Sequence, residues 1–291
     1  MQAPKFIHLR FHSEYSVTDG IVRIDPILHA VMERGGVAIG IADLMNIFGG
    51  LRFYTHALAA GIKPILGCDL KVRNPKDAKL PFRMGVICMD HEGYHSLCVL
   101  LTKAYLTDSD PYRGQVDPAW FDEDGAKGLI GLTGGADGEL ASLLIKGRTK
   151  EADALVERLK RQFGDALYIE LQRAGRRNDE LATAHCANFA VKHNLPVVAT
   201  HPIQFLNKED FEAHEVRCAI AEGFTLQDPR RSKLYTPEQY MKSEAEMCEL
   251  FADIPAALEE YGRNRQALQF GQRPLKAATA ALPHARRDDA R

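Results

Sequence analysis

The sequence predicts an α/β fold whose sheet curls into a closed or distorted barrel. Three observations carry this reading. Short apolar runs alternate with longer stretches of helical periodicity from residue 5 to residue 206. There are six or seven such units, and strands spaced by helices imply right-handed crossovers and a mostly parallel sheet. The GxGxxG fingerprint of an open dinucleotide-binding sheet is absent, which favours closure.

Residues 6–11 alternate as a strand does, and residues 24–33 place Ile24, Ile27, Leu28 and Val31 at helical spacing. Residues 37–41 form an apolar run short enough for a buried strand. The order then repeats: helix at 51–60, strands at 65–72 and 84–89, helix at 94–104, strand at 129–133, helices at 140–146 and 152–163. Strand 167–171, helix 181–193 and strand 197–200 complete the pattern. In a barrel of this kind, chemistry sits at the carboxyl ends of the strands.

The chain has 291 residues, 45% of them hydrophobic and 26% charged, the balance of a globular protein able to bury a core. No apolar run approaches the roughly 20 residues needed to span a bilayer, and the amino terminus lacks an apolar signal segment. A cytoplasmic protein with no membrane partner is expected. Six cysteines without a CxxC pair are expected to be mostly buried, reduced thiols. The net charge of −2 is unevenly spread: residues 261–291 carry seven basic and two acidic side chains, leaving 30 basic against 37 acidic before them. A net of −7 disfavours direct DNA binding by the folded part. The final segment has only four large apolar residues and no periodicity, so residues 259–291 are expected to form a disordered basic tail.

Three motifs bear on chemistry. His8, Arg10 and His12 share one strand face because side chains alternate. A guanidinium has no lone pair to give a metal, so Arg10 spoils the histidine pair and points His12 toward a hydrogen-bonding role. His91-Glu92-Gly93-Tyr94-His95 matches HExxH, but Gly93 disfavours a helix there by about 1 kcal/mol. Asp90 is expected to cap a helix that begins only near Glu92, so the two histidines would not share a face. Gly134 to Glu139 reads as a glycine-rich strand-to-helix turn whose amides could receive an anion, without the lysine of a P-loop.

Taken together, FIHLRFHSEYSVTDG, IGIADLMNIFGGLRFY, AGIKPILGCDLKV, GYHSLCVLLTKAY and LYIELQRAG, in this order and spacing, resemble one family. It is the amino-terminal PHP (polymerase and histidinol phosphatase) domain of the alpha subunit of bacterial DNA polymerase III. The resemblance covers residues 5–258 as one domain and implies a distorted (β/α)7 barrel. It also implies a place in the replicative polymerase, packed against the rest of the alpha subunit, with a docking surface for the proofreading exonuclease subunit and DNA met only through the full complex. The polymerase module, which would bind Mg2+ and act as a DNA-directed DNA polymerase, is absent here. After Leu258 the pattern stops, and the Arg-, Ala- and Gln-rich remainder has the composition of a truncated chain or a shifted reading frame.

Active members of the family hold a metal cluster that activates water for phosphoester hydrolysis. By resemblance, the first histidine of His-x-His is Arg10, the second is His12, and the following carboxylate is Asp19. Thr-Asp-His reads Ala42-Asp43-Leu44, and the next glutamate is Asp69. Later histidines fall at Arg83 and Ala174, and the closing Asp-x-His reads Pro202-Ile203-Gln204. The resemblance therefore implies a vestigial pocket of His12, Asp19 and Asp69, with Arg10 and Arg83 filling the vacated cleft, no catalytic residue and no metal. The function expected is a non-catalytic scaffold. The alternative is a metal-dependent phosphoesterase or nuclease with an incomplete site.

Overall fold

The computed structural model describes residues 6–17, 19–107 and 114–258. The expected basic tail lies outside the described residues. Eight α-helices accompany a six-stranded sheet among them. The first is α1 (Ile24–Glu33), followed by β1 (Ala38–Leu44), α2 (Gly50–Ala59), β2 (Lys63–Val72), β3 (Phe82–Cys88) and α3 (His91–Thr107). Then come β4 (Leu129–Leu132), α4 (Glu139–Ile145), α5 (Thr149–Phe163), β5 (Leu167–Gln172), α6 (Asp179–His193), β6 (Val197–Thr200), α7 (Phe211–Glu222) and α8 (Glu244–Leu250).

The helices bury the stripes their spacing dictates. α1 buries Ile24, Ile27, Leu28 and Val31, and α5 buries Ala152, Leu155, Val156, Leu159 and Phe163. Each fully buried large side chain contributes about 1.5–3 kcal/mol, so these stripes fasten the helices to the sheet more firmly than helix propensity does. Every residue of β1 is buried, as a strand covered on both faces requires. Cys68, Cys88, Cys186 and Cys218 are buried, as expected for reduced thiols in the core.

The strands lie in chain order, β1 to β6. β1–β2, β4–β5 and β5–β6 are parallel, whereas β3 is antiparallel to both neighbours. Three of the five pairings are parallel, and β3 is the exception within the mostly parallel sheet expected. Residues 73–81, with Pro75 and Pro81, supply no helix to carry the chain back across the sheet, so β3 returns beside β2 in the opposite sense.

Residues 6–11 form no continuous ladder. Phe11 alone bridges, and it bridges both ways: to Ile41 of β1 and to Ile203 beyond β6. The Phe11 amide donates to the Gly40 carbonyl at 3.0 Å, and the His12 amide donates to the Ile203 carbonyl at 2.8 Å. This segment joins the two edges of the curled sheet. It delivers Arg10 and His12 to the mouth where the parallel strands end.

Candidate functional site

A cleft of about 610 Å3 opens at that mouth, lined by Arg10, His12, Asp19, Asp69, Arg83 and residues of the later loops. The antiparallel β3 starts where its neighbours finish, which brings Arg83 to the same rim. Pro202 and Gln204 also face the cleft. Leu44 and Ala174 are buried.

Arg10 grips two acids with one fork. One terminal nitrogen donates to Glu170 Oε1 at 2.5 Å and the other to Asp69 Oδ2. His12 stands between two carboxylates, with Nδ1 3.3 Å from Asp19 Oδ1 and Nε2 3.0 Å from Asp69 Oδ2. Arg10, His12, Asp19, Asp69 and Glu170 are each at most 4% exposed. Buried charges are costly unless paired, and here each has an opposite charge in contact.

Burial alone would drive the proton off His12, but Asp19 first and then Asp69 overcome it and raise its pKa to about 10. A carboxylate faces each ring nitrogen, which favours the protonated imidazole. Burial would raise Asp19; His12 above all, then Arg83 and the Ser16 hydroxyl, pull it down to about 2. Asp69 is likewise buried, yet Arg10 and His12 hold it below the usual carboxylate range.

Glu170, unremarked in the sequence reading, completes the floor. Its Oε1 also accepts from the Thr200 hydroxyl and from Gln172 Nε2, and its Oε2 accepts the Gly134 amide at 3.0 Å. The glycine turn thus receives an anion from its own chain. Gly134 sits at φ +84°, and a Cβ there would lie 2.0 Å from the Arg83 carbonyl oxygen. The signal for Glu170 was a carboxylate inside the apolar run LYIEL, which a buried strand tolerates only with a partner. Asp43 is committed elsewhere: Ser13 donates its amide at 2.6 Å and its hydroxyl at 2.7 Å. Burial nonetheless lifts Asp43 to about 6.

The HExxH reading needs one correction. α3 begins at His91, earlier than expected, so His91 and His95 are one helical turn apart. Asp90 caps it, its side chain accepting the Gly93 amide at 2.9 Å. Gly93 is there for packing, since a Cβ would meet the Gly128 carbonyl oxygen at 1.9 Å. Glu92, the would-be base, pairs with Lys127 at 2.7 Å.

A profile of the PHP domain matches residues 8–174, more than half of the chain. The chain belongs to the PHP domain family. Relatives include the DNA polymerase III alpha subunits of Vibrio cholerae, 42% identical over 258 residues, and of Escherichia coli (strain K12), 40% identical over 258 residues. Each match covers 89% of this chain but 22% of the relative, so this PHP domain chain spans about a fifth of their length. A solved two-domain protein from Bacteroides vulgatus, containing a predicted PHP-like metal-dependent phosphoesterase, aligns at 15% identity with a TM-score of 0.41. That alignment covers 68% of this chain and 51% of that one.

The donor set of this PHP domain does not fit a multinuclear metal centre. Arg10 holds one oxygen each of Asp69 and Glu170, and His12 is flanked by Asp19 and Asp69. Among the described residues no group of three His, Cys, Asp or Glu side chains is placed to share an ion. Nor is any described helix long and apolar enough to cross a membrane.

Proposed function

We propose that this chain is a non-catalytic PHP domain, running over residues 5–258, of a DNA polymerase III alpha subunit. In this reading it acts as a scaffold for the polymerase module and as the docking surface for the proofreading exonuclease subunit, in the cytoplasm and in DNA replication. The observation that carries the loss of catalysis is the Arg10 fork between Asp69 and Glu170. A permanently charged guanidinium fills the place where a cation would have to sit. The likeness to alpha subunits supports the replisome setting. His12, Asp19 and Asp69 are then a vestigial ligand set, and Arg10 and Arg83 its replacements.

Two measurements test this. Purified protein, chelated and then resupplied with Zn2+, Mn2+ or Mg2+, should retain no stoichiometric metal and hydrolyse no generic phosphomonoester. The exonuclease subunit should be retained on immobilised full-length chain. Metal at occupancy near one together with restored hydrolysis would establish the incomplete phosphoesterase instead, and failure to retain the exonuclease would remove the docking role.

A further inference from the structure

A second hollow, of about 30 Å3, lies between α4, α5, the 3-10 turn Pro118–Phe121 and the start of β3, and shares only Arg83 with the cleft. Its floor is apolar: Val72, Met84, Phe121, Leu140, Leu155 and Leu159 line it and are all buried. Arg158 and Gln162 stand at its rim, half-buried. With Leu155 and Leu159 they occupy positions i, i+3, i+4 and i+7 of α5, which puts all four side chains on one helix face.

Each rim side chain is held at one end and unsatisfied at the other. Arg158 Nη2 donates to Glu139 Oε2 at 3.3 Å, while its buried Nε–H has no acceptor among the described residues. Gln162 Nε2 donates to the Pro118 carbonyl at 3.0 Å and to Asp122 Oδ1 at 2.9 Å. Those two acceptors fix the amide's orientation and leave its buried Oε1 without a donor. One donor, one acceptor and an apolar hollow are therefore set about one helical turn apart.

Water satisfies the two polar atoms, but it gains nothing from an apolar floor. A residue of an extended peptide serves all three: its carbonyl accepts from Arg158, its N–H donates to Gln162, and its side chain enters the hollow. The carboxylates of Glu139 and Asp122 beside the rim oppose a nucleic-acid phosphate. We propose that this pocket anchors an extended segment of a partner protein through one aliphatic side chain, and, resting on the docking reading above, that the proofreading exonuclease subunit supplies the segment.

The test titrates the exonuclease subunit against the immobilised full-length chain by surface plasmon resonance, with thermal melts of every variant. Leu159→Phe fills the hollow. Arg158→Lys keeps the ion pair with Glu139 but removes the Nε–H donor. Each should raise the Kd about tenfold, the loss of one anchor or one charge-assisted hydrogen bond. Lys150→Ala, exposed on the same helix, should bind like the parent. If Leu159→Phe melts well below the parent, Arg158→Lys decides alone. Parent-like binding by the pocket variants overturns the pocket and leaves the docking reading intact, and so does equal weakening in all three variants. A parent that does not bind the exonuclease at all removes the docking reading, and this inference with it.

Discussion

Two histidines four residues apart on one chain segment, both buried, end in opposite states. His8 donates from Nε2 to the Lys242 carbonyl at 2.8 Å, beside His201, which donates likewise to the Tyr240 carbonyl at 3.0 Å. Neither has a carboxylate in contact, so burial wins and lowers His8 to about 4 and His201 to about 3. His12 is buried as deeply, but it faces Asp19 and Asp69 and is held at about 10. Burial sets the cost of a charge; the neighbours decide whether the charge is kept.

The comparison breaks most visibly at Arg10. Arg10→Ala should destabilise the domain by about 3 to 5 kcal/mol in denaturant melts, because Asp69 and Glu170 remain buried without their shared cation. A melt like the parent's would mean that the floor is not held by this pair. Arg10→His should bind no metal by equilibrium dialysis, since Leu44, Ala174 and Pro202 offer no donor, Arg83 carries the wrong charge, and Gln204 offers only a neutral amide oxygen.

The neutral pair governs the acid side. Folded-state pKa values of about 4 and 3, below the ordinary 6.5, give stability that is complete above pH 6.5 and is lost as pH falls through 4 and 3. Two protons set a limiting slope of about 2.7 kcal/mol per pH unit. Asp43, raised to about 6, works the other way between pH 4 and 6 and keeps the observed slope smaller. His201→Gln keeps a donor for the Tyr240 carbonyl and should roughly halve that histidine slope in melts at pH 4.5 to 6.5.

His12 governs the alkaline side. Its stabilisation is complete below pH 6.5 and fades as pH rises through 10, at up to about 1.4 kcal/mol per pH unit. His12→Gln should be less stable at pH 7 and flat from pH 7 to 9.5; a parent that is already flat would show His12 to be neutral. The smallest effect is expected at the exposed pair of Lys127 with Glu92, where Lys127→Ala should leave the melt unchanged.

Periodicity made α1 legible to the residue, because Ile24, Ile27, Leu28 and Val31 are all core positions and the pattern has no competing reading. It could not show the direction of β3, which depends on a connection without a helix and not on the strand itself. Asp69, Asp19 and His12 were found through the family's spacing and do meet in one cleft. Glu170 escaped because no motif position demanded a ligand there, and its role exists only through Arg10, 160 residues away. α3 opens at His91, one residue before the expected start near Glu92, because the glycine that disfavours a helix at 93 is required there by the contact with Gly128.

The Arg10 fork also limits what single substitutions in the floor can reach. To rebuild a ligand set, the arginine must leave, yet its departure strands two buried carboxylates before any metal can replace it. Native domains hold only about 5–15 kcal/mol in reserve, so that first step consumes a large share of it while restoring no activity. On the proposed non-catalytic reading, the other positions that would have to change, Leu44, Arg83, Ala174, Pro202 and Gln204, are spread over β1, β3 and the segments after β5 and β6. On the same reading, the guanidinium in the floor acts as a ratchet: removing it alone costs folding stability, and a working ligand set needs several changes at once.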